Sequence, residues 1–117
     1  MKKNGMRPVP PGEILKEEFL KPLGLTANAL AKAIGVPPNR VTAILNDERG
    51  ITGDTAIRLG TFFKTSPEFW MNLQMTYDLR NAEKVLPAKV RKSIEHNRSL
   101  LRDTQNRRRK SPMVPIG

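Results

Sequence analysis

The chain contains no cysteine. That excludes disulfides and thiolate metal sites, and it accords with the reducing cytoplasm, the compartment expected for this protein. Histidine occurs once, at His96, in a charged segment with no second histidine beside it, so neither a metal site nor a histidine-based catalytic centre is expected. Aromatic residues make up 5% of the chain, and only a modest core can be built from them. No apolar run is long enough to cross a bilayer, so no membrane partner is expected. Met1–Gly5 is basic but no apolar stretch follows it, which does not read as a secretory signal. Glu17 and Glu18 are adjacent carboxylates, but neighbours on a helix point in different directions and no nucleophile accompanies them. No catalytic residue, no cofactor and no enzymatic activity is therefore expected.

Positive charge is abundant and uneven. The net charge is +10 over 117 residues. Residues 1–88 carry twelve basic against nine acidic side chains, whereas residues 89–117 carry nine against two. A chain this basic favours a polyanionic partner, nucleic acid above all. A solvated basic extension is the plain alternative for residues 89–117.

Prolines and glycines divide the rest. Pro8, Pro10 and Pro11 keep residues 1–10 from regular structure, leaving an N-terminal arm with apolar Met6 and Val9. The patterning predicts an all-α domain over residues 11–86, with five helices and no strand, followed by a basic extension over 87–117. Helix one should run from Pro11 to Lys21, with Ile14, Leu15, Glu18 and Phe19 at helical spacing and Pro22 as its stop. Helix two follows the N-cap residue Thr26 and ends at Gly35, with Leu30, Ala31 and Ile34 as core positions. Helix three opens at Pro37 or Pro38 and reaches about Asn46. Helix four follows Thr52 and reaches Phe63, with Gly60 kept small for a neighbouring helix. Helix five, capped by Ser66, spans Glu68 to about Glu83, and a sixth helix is possible over Pro87–Arg102.

The most informative segment is Leu30–Asn46, a helix, a tight glycine turn and a second helix. Asn39, Thr42, Ala43 and Asn46 stand at i, i+3, i+4 and i+7 and so share one face. Val41, Ile44 and Leu45 fall opposite and would anchor the helix. A short, polar, nearly uncharged face suits a helix entering the DNA major groove, where the backbone must come close and Asn and Thr can meet base edges.

The spacing of Ala31, Gly35 and Val41 resembles the helix-turn-helix of the lambda-repressor-like DNA-binding domains. Three further segments sharpen the resemblance: Arg7–Leu15 with its Pro-Gly-Glu lead, Ile51–Leu59, and Thr65–Gln74 followed by Tyr77-Asp78-Leu79. Together, over about residues 6–84, they resemble the HigA antitoxins, also called VapI or plasmid-maintenance antidote proteins. Residues 87–117 carry no family signal.

The resemblance implies a homodimer that binds a palindromic operator in its own promoter and neutralises a HigB-type mRNA endonuclease toxin. In the wider fold a glutamine opening helix two grips a phosphate, and here that position is Ala27, which leaves the contact to Thr26 or Asn28. The first positions of helix three are Pro37 and Pro38, which lack N–H donors, so base reading falls to Asn39, Arg40, Thr42 and Ala43. Asn46 and Arg49 match positions that often hold phosphate. A stand-alone repressor of the same XRE-type fold, with no toxin partner, is the alternative function.

The pattern also suggests where the partners implied by the resemblance would bind. Helix five has more apolar side chains than one face can bury, so it should supply the dimer interface, with Trp70, Leu73 and Tyr77 near the axis or bracing it. The arm and helix one, residues 1–25, are free of the reading face and are expected to contribute to toxin capture, with Met6 and Val9 as apolar contacts. Arg107–Lys110 is the densest part of the extension and the candidate for contact with flanking phosphates.

Overall fold

Six helices, and no strand, occur among residues 7–101, which are the residues described by the computed structural model. Met6, the end of the possible sixth helix at Arg102 and the Arg107–Lys110 cluster lie outside them. The chain divides into two compact units, Met1–Ala82 and Glu83–Gly117.

Helix α1 occupies residues 11–23. It is helical in three stretches, α over Pro11–Ile14, π over Leu15–Leu20 and α over Lys21–Leu23. Pro22 does not stop it, contrary to expectation. The Lys21 N–H bonds the Lys16 carbonyl five residues back, and the widened turn carries the chain past the proline, whose missing N–H breaks the ordinary ladder. The helix ends instead at Gly24, in the left-handed region at φ +66°. The π turn also resets the phase. Leu15 and Leu20, five apart, are both sealed in the core, while Phe19 is half-buried and Glu18 is exposed.

Helices α2 (Ala27–Ile34) and α3 (Pro38–Leu45) form the central pair. The Thr26 hydroxyl accepts the Ala29 N–H at 3.0 Å and opens α2. Gly35, at φ +75°, closes it as a left-handed cap. Leu30, Ala31 and Ile34 face inward as their spacing requires, and Val41 and Ile44 of α3 meet them. Helix α1 crosses α3 so closely at Gly12 that a Cβ there would lie 2.0 Å from the Ile44 carbonyl oxygen. Only glycine fits that crossing.

Helix α4 spans Gly53–Phe63 and α5 spans Pro67–Val85, two residues beyond its expected end. At Gly60 the space is taken by the connection to α5 rather than by a crossing helix: an added Cβ would meet the Thr65 carbonyl oxygen at 2.8 Å. Trp70 closes the core. Its ring is fully enclosed, touches Phe19 and Phe69 at centroid distances of 4.9 Å, and donates its N–H to the Thr65 hydroxyl at 2.8 Å.

In the second unit, α6 covers Ala88–His96, and helical residues continue to Leu101 within the possible Pro87–Arg102 helix. A single 3₁₀ turn, Asn97–Ser99, follows it. No residue of α6 is buried.

Candidate nucleic-acid interface

Three residues, Gly35, Val36 and Pro37, turn the chain from α2 into α3. The left-handed glycine reverses direction, the Val36 N–H returns to the Ala31 carbonyl at 3.0 Å, and the Val36 side chain is buried. Pro37 at ψ 147° and Pro38 as the first helical residue start α3 with no N–H of their own to satisfy, and the Arg40 N–H bonds the Pro37 carbonyl at 3.0 Å. The turn is pinned from α4. Arg58 Nη1 donates to the Ile34 carbonyl at 2.7 Å and to the Gly35 carbonyl at 3.3 Å.

Helix α3 then has two distinct sides. Val41 and Ile44 are 1% and 2% exposed, and Leu45 packs against the core from the edge. On the other side Asn39, Thr42 and Asn46 are exposed and Ala43 is half-buried beside them. The Thr42 hydroxyl donates to the Pro38 carbonyl at 3.2 Å, which leaves its oxygen free to accept. That face carries no charge of its own.

Arg40 behaves differently. It is half-buried, and its Nη1 donates to Asp54 Oδ2 at 3.2 Å. The same carboxylate oxygen accepts Arg58 Nε at 2.9 Å. An acid at the start of α4 therefore links the arginine of α3 to the arginine that pins the turn. Asp54 and Arg58 are i,i+4 on α4, a spacing visible in the sequence, but their reach across to α3 is not.

The exit from α3 is held as firmly as its entry. Asp47 takes the left-handed conformation at φ +59°, which aspartate tolerates better than most residues. Tyr77 of α5 donates its hydroxyl to the Asp47 carboxylate, and Gln74 Oε1 accepts the Ile51 N–H at 2.7 Å. The bond to Asp47, and then burial, raise the Tyr77 phenol above its ordinary pKa. Arg49 lies within this clamped loop and is exposed. Sequence reasoning missed Asp54, Arg58 and Gln74, because each acts on backbone or side chains more than a dozen residues away.

Of the other positions singled out in the sequence, Thr26 spends its hydroxyl on the α2 cap while remaining exposed, and Asn28 is exposed in the first turn of α2. Ala27 packs against the core. Leu73 is half-buried against the core and Tyr77 half-buried over the loop. Trp70 offers no surface, so any contribution it makes to an interface is from behind. The outward side of α5 instead exposes Met71, Met75 and Leu79. Among the described residues no group of His, Asp or Glu side chains is placed to hold a metal ion, and no helix is long and apolar enough to cross a membrane.

The helix-turn-helix family matches residues 16–70, which defines the chain as a helix-turn-helix protein. Over 81 residues it is 53% identical to Virulence-associated protein I of Dichelobacter nodosus, covering 69% of this chain and 75% of that one. Over 79 residues it is 46% identical to Antitoxin HigA-1 of Vibrio cholerae, covering 68% and 74%. Among solved structures it resembles the Pseudomonas aeruginosa antitoxin HigA determined with the higBA promoter, at 48% identity and a TM-score of 0.67, covering 77% of this chain and 94% of that one. The chain belongs to the HigA-type antitoxins. These are helix-turn-helix DNA-binding regulators, not enzymes.

Proposed function

We propose that this chain is a cytoplasmic antitoxin and transcriptional autorepressor. As a homodimer it binds a palindromic operator in its own promoter, and it neutralises a HigB-type mRNA endonuclease. The observation that carries the reading is the two-sided α3, sealed by Val41 and Ile44 and presenting Asn39, Thr42 and Asn46 outward. The Pseudomonas aeruginosa antitoxin HigA, 48% identical, has been seen with the higBA promoter, which supports the DNA partner. The relationship to Antitoxin HigA-1 supports the toxin partner.

Asn39, Arg40, Thr42 and Ala43 read bases in this proposal, Asn39 pairing with adenine and Arg40 with guanine as their donors and acceptors dictate. Thr26, Asn28, Asn46 and Arg49 contact phosphate. Arg40 meets DNA through the guanidinium donors that its contact with Asp54 leaves free. Two-fold pairing is needed because one helix-turn-helix reads too few base pairs for strong affinity. Leu73 and Tyr77 lie beside that interface on α5 and Trp70 braces it from the core. Residues 1–25 contribute the toxin surface.

The test is co-purification of the full chain with the product of the neighbouring reading frame, followed by footprinting on the promoter. A complex with a small basic protein and a protected inverted repeat are expected. Protection without a partner protein would leave a stand-alone repressor, and no protection would sink the reading of α3.

A further inference from the structure

Two arginines share one carboxylate oxygen, and they are not held alike. Arg58 is fixed by three acceptors: Asp54 Oδ2 at 2.9 Å, the Ile34 carbonyl at 2.7 Å and the Gly35 carbonyl at 3.3 Å. Arg40 has one contact, the 3.2 Å bond from Nη1 to Asp54, and its buried Nε meets no acceptor among the described residues. The first arginine is structure. The second is a guanidinium with unused donors, standing on the helix proposed to read DNA, with a quarter of its side chain exposed.

Asp54 sits between them. Its place in the first turn of α4 fixes its backbone, and Arg58 fixes its carboxylate relative to the α2–α3 turn. A side chain as long as arginine has many rotamers, and freezing it at a base edge costs entropy. A carboxylate that already holds one end of the guanidinium removes part of that cost and limits the directions in which the other donors point. Helix two of this chain opens with Ala27 and has no glutamine there to brace the reading helix. The Arg58–Asp54–Arg40 chain is a brace of a different construction.

We propose that Asp54 is a positioning residue for DNA recognition, which holds Arg40 in the orientation that discriminates the operator and is itself held by Arg58. The inference rests on the reading of α3 as the base-reading helix. Asp54 need not touch DNA. As an anion beside the DNA surface it also opposes contact with phosphate in general, so it favours selectivity at the expense of non-specific binding.

The experiment compares binding of the full chain to a duplex from its own promoter and to a scrambled duplex, across a salt series. The variants are Asp54→Asn, Arg40→Gln and the double substitution. Asp54→Asn should lower the operator-to-scrambled ratio about three- to tenfold, as partial loss of one arginine–base contact requires. Its affinity for scrambled DNA should hold or rise, and its salt slope should not flatten, because no phosphate contact is removed. A merely structural role would lower both affinities together. The double variant should lose no more than Arg40→Gln alone, because Asp54 acts through Arg40. Both duplexes are titrated with one sample, so a reduced folded fraction cancels in the ratio.

If Arg40→Gln lowers the ratio and Asp54→Asn does not, positioning by Asp54 is overturned while the reading helix stands. Losses that multiply in the double variant overturn it equally. If Arg40→Gln itself leaves the ratio unchanged, Arg40 is not a reader, and the underlying assignment fails with the inference.

Discussion

Helices α3 and α6 begin in the same way and end as different objects. Pro37 precedes α3 at φ −65°, ψ 147°, and Pro87 precedes α6 at φ −64°, ψ 144°. Both are short, eight and nine residues, below the length at which an isolated helix is stable in water. Helix α3 buries Val41 and Ile44 completely, whereas α6 buries nothing and leaves Val90 and Ile94 exposed. Local signals therefore suffice to start a helix, but they do not give it a fixed face. A surface that must hold several side chains in register against a rigid duplex needs the anchoring that α3 has. The strongly basic segment containing α6 suits contacts that require charge and no register.

The comparison breaks most readily at the anchors. Ile44→Ala should cost about 2–5 kcal/mol, because it empties a sealed position where three helices meet. Ile94→Ala, more than half exposed, should change stability by no more than about 0.5 kcal/mol. Chemical denaturation followed by helical circular dichroism measures both. Comparable losses would mean that α6 is anchored too.

A second, smaller contrast lies between two glycines. Gly12→Ala should destabilise by about 1–3 kcal/mol, since its Cβ would overlap the Ile44 carbonyl and push α1 off α3. Nothing lies within 4 Å of a Cβ on Gly53, at the start of α4, so Gly53→Ala should stabilise by about 0.4–1 kcal/mol. Equal effects would show that the α1–α3 crossing relaxes freely.

On DNA the two regions should separate by the kind of energy they supply. Asn39→Ala should cost about 1–3 kcal/mol of discrimination at one base position in each half-site. Arg49→Ala should weaken binding to every sequence and flatten the salt slope by about 0.9. Removing residues 103–117 should lower non-specific affinity and flatten the slope while operator preference is retained. An unchanged slope in the shortened chain would leave the Arg107–Lys110 cluster without contact to DNA.

How much of this was legible in the sequence follows from the range of each interaction. The bounds of α2, α3 and α4 were readable because their signals are local: a threonine cap, a left-handed glycine, a proline pair. The face of α3 was readable because helical spacing alone decides which residues share it. Helix α1 was misread at Pro22, since proline is an ordinary stop and the π turn that carries the chain past it has no local signature. Gly12 was legible as part of the Pro-Gly-Glu lead, but the reason it must stay small was not, because it lies more than thirty residues away in the Ile44 carbonyl. The sequence left Trp70 either near a dimer axis or bracing it from the core, and its full burial depends on Phe19, Phe63 and Phe69 converging from three helices. The polar braces at Asp54, Arg58, Gln74 and Tyr77 depend on tertiary structure in the same way.

The smallest expected effect concerns the lead into α1. Arg7 and Glu13 form a two-pronged pair, Nη1 to Oε1 and Nη2 to Oε2, both at 3.0 Å. The bond to Arg7 holds the Glu13 carboxyl below its ordinary pKa, and the bond to Glu13 raises the pKa of Arg7. A carboxyl whose folded pKa lies below its unfolded value stabilises the fold above the unfolded value, and that contribution is lost as pH falls through the folded value. Both side chains are more than a third exposed, so water and salt screen most of the attraction. Glu13→Gln should therefore lower Tm by about 2–4 °C at neutral pH and low salt. The difference from the unsubstituted chain should shrink to nothing as the pH is taken below the depressed carboxyl pKa, and also as salt is raised. Glu13 lies in the first turn of α1, where any negative charge is favourable, and Arg7→Gln separates that contribution from the pair. If Arg7→Gln leaves Tm unchanged while Glu13→Gln lowers it, the glutamate acts on the helix end alone, and the arm is not tied to the domain by this bond.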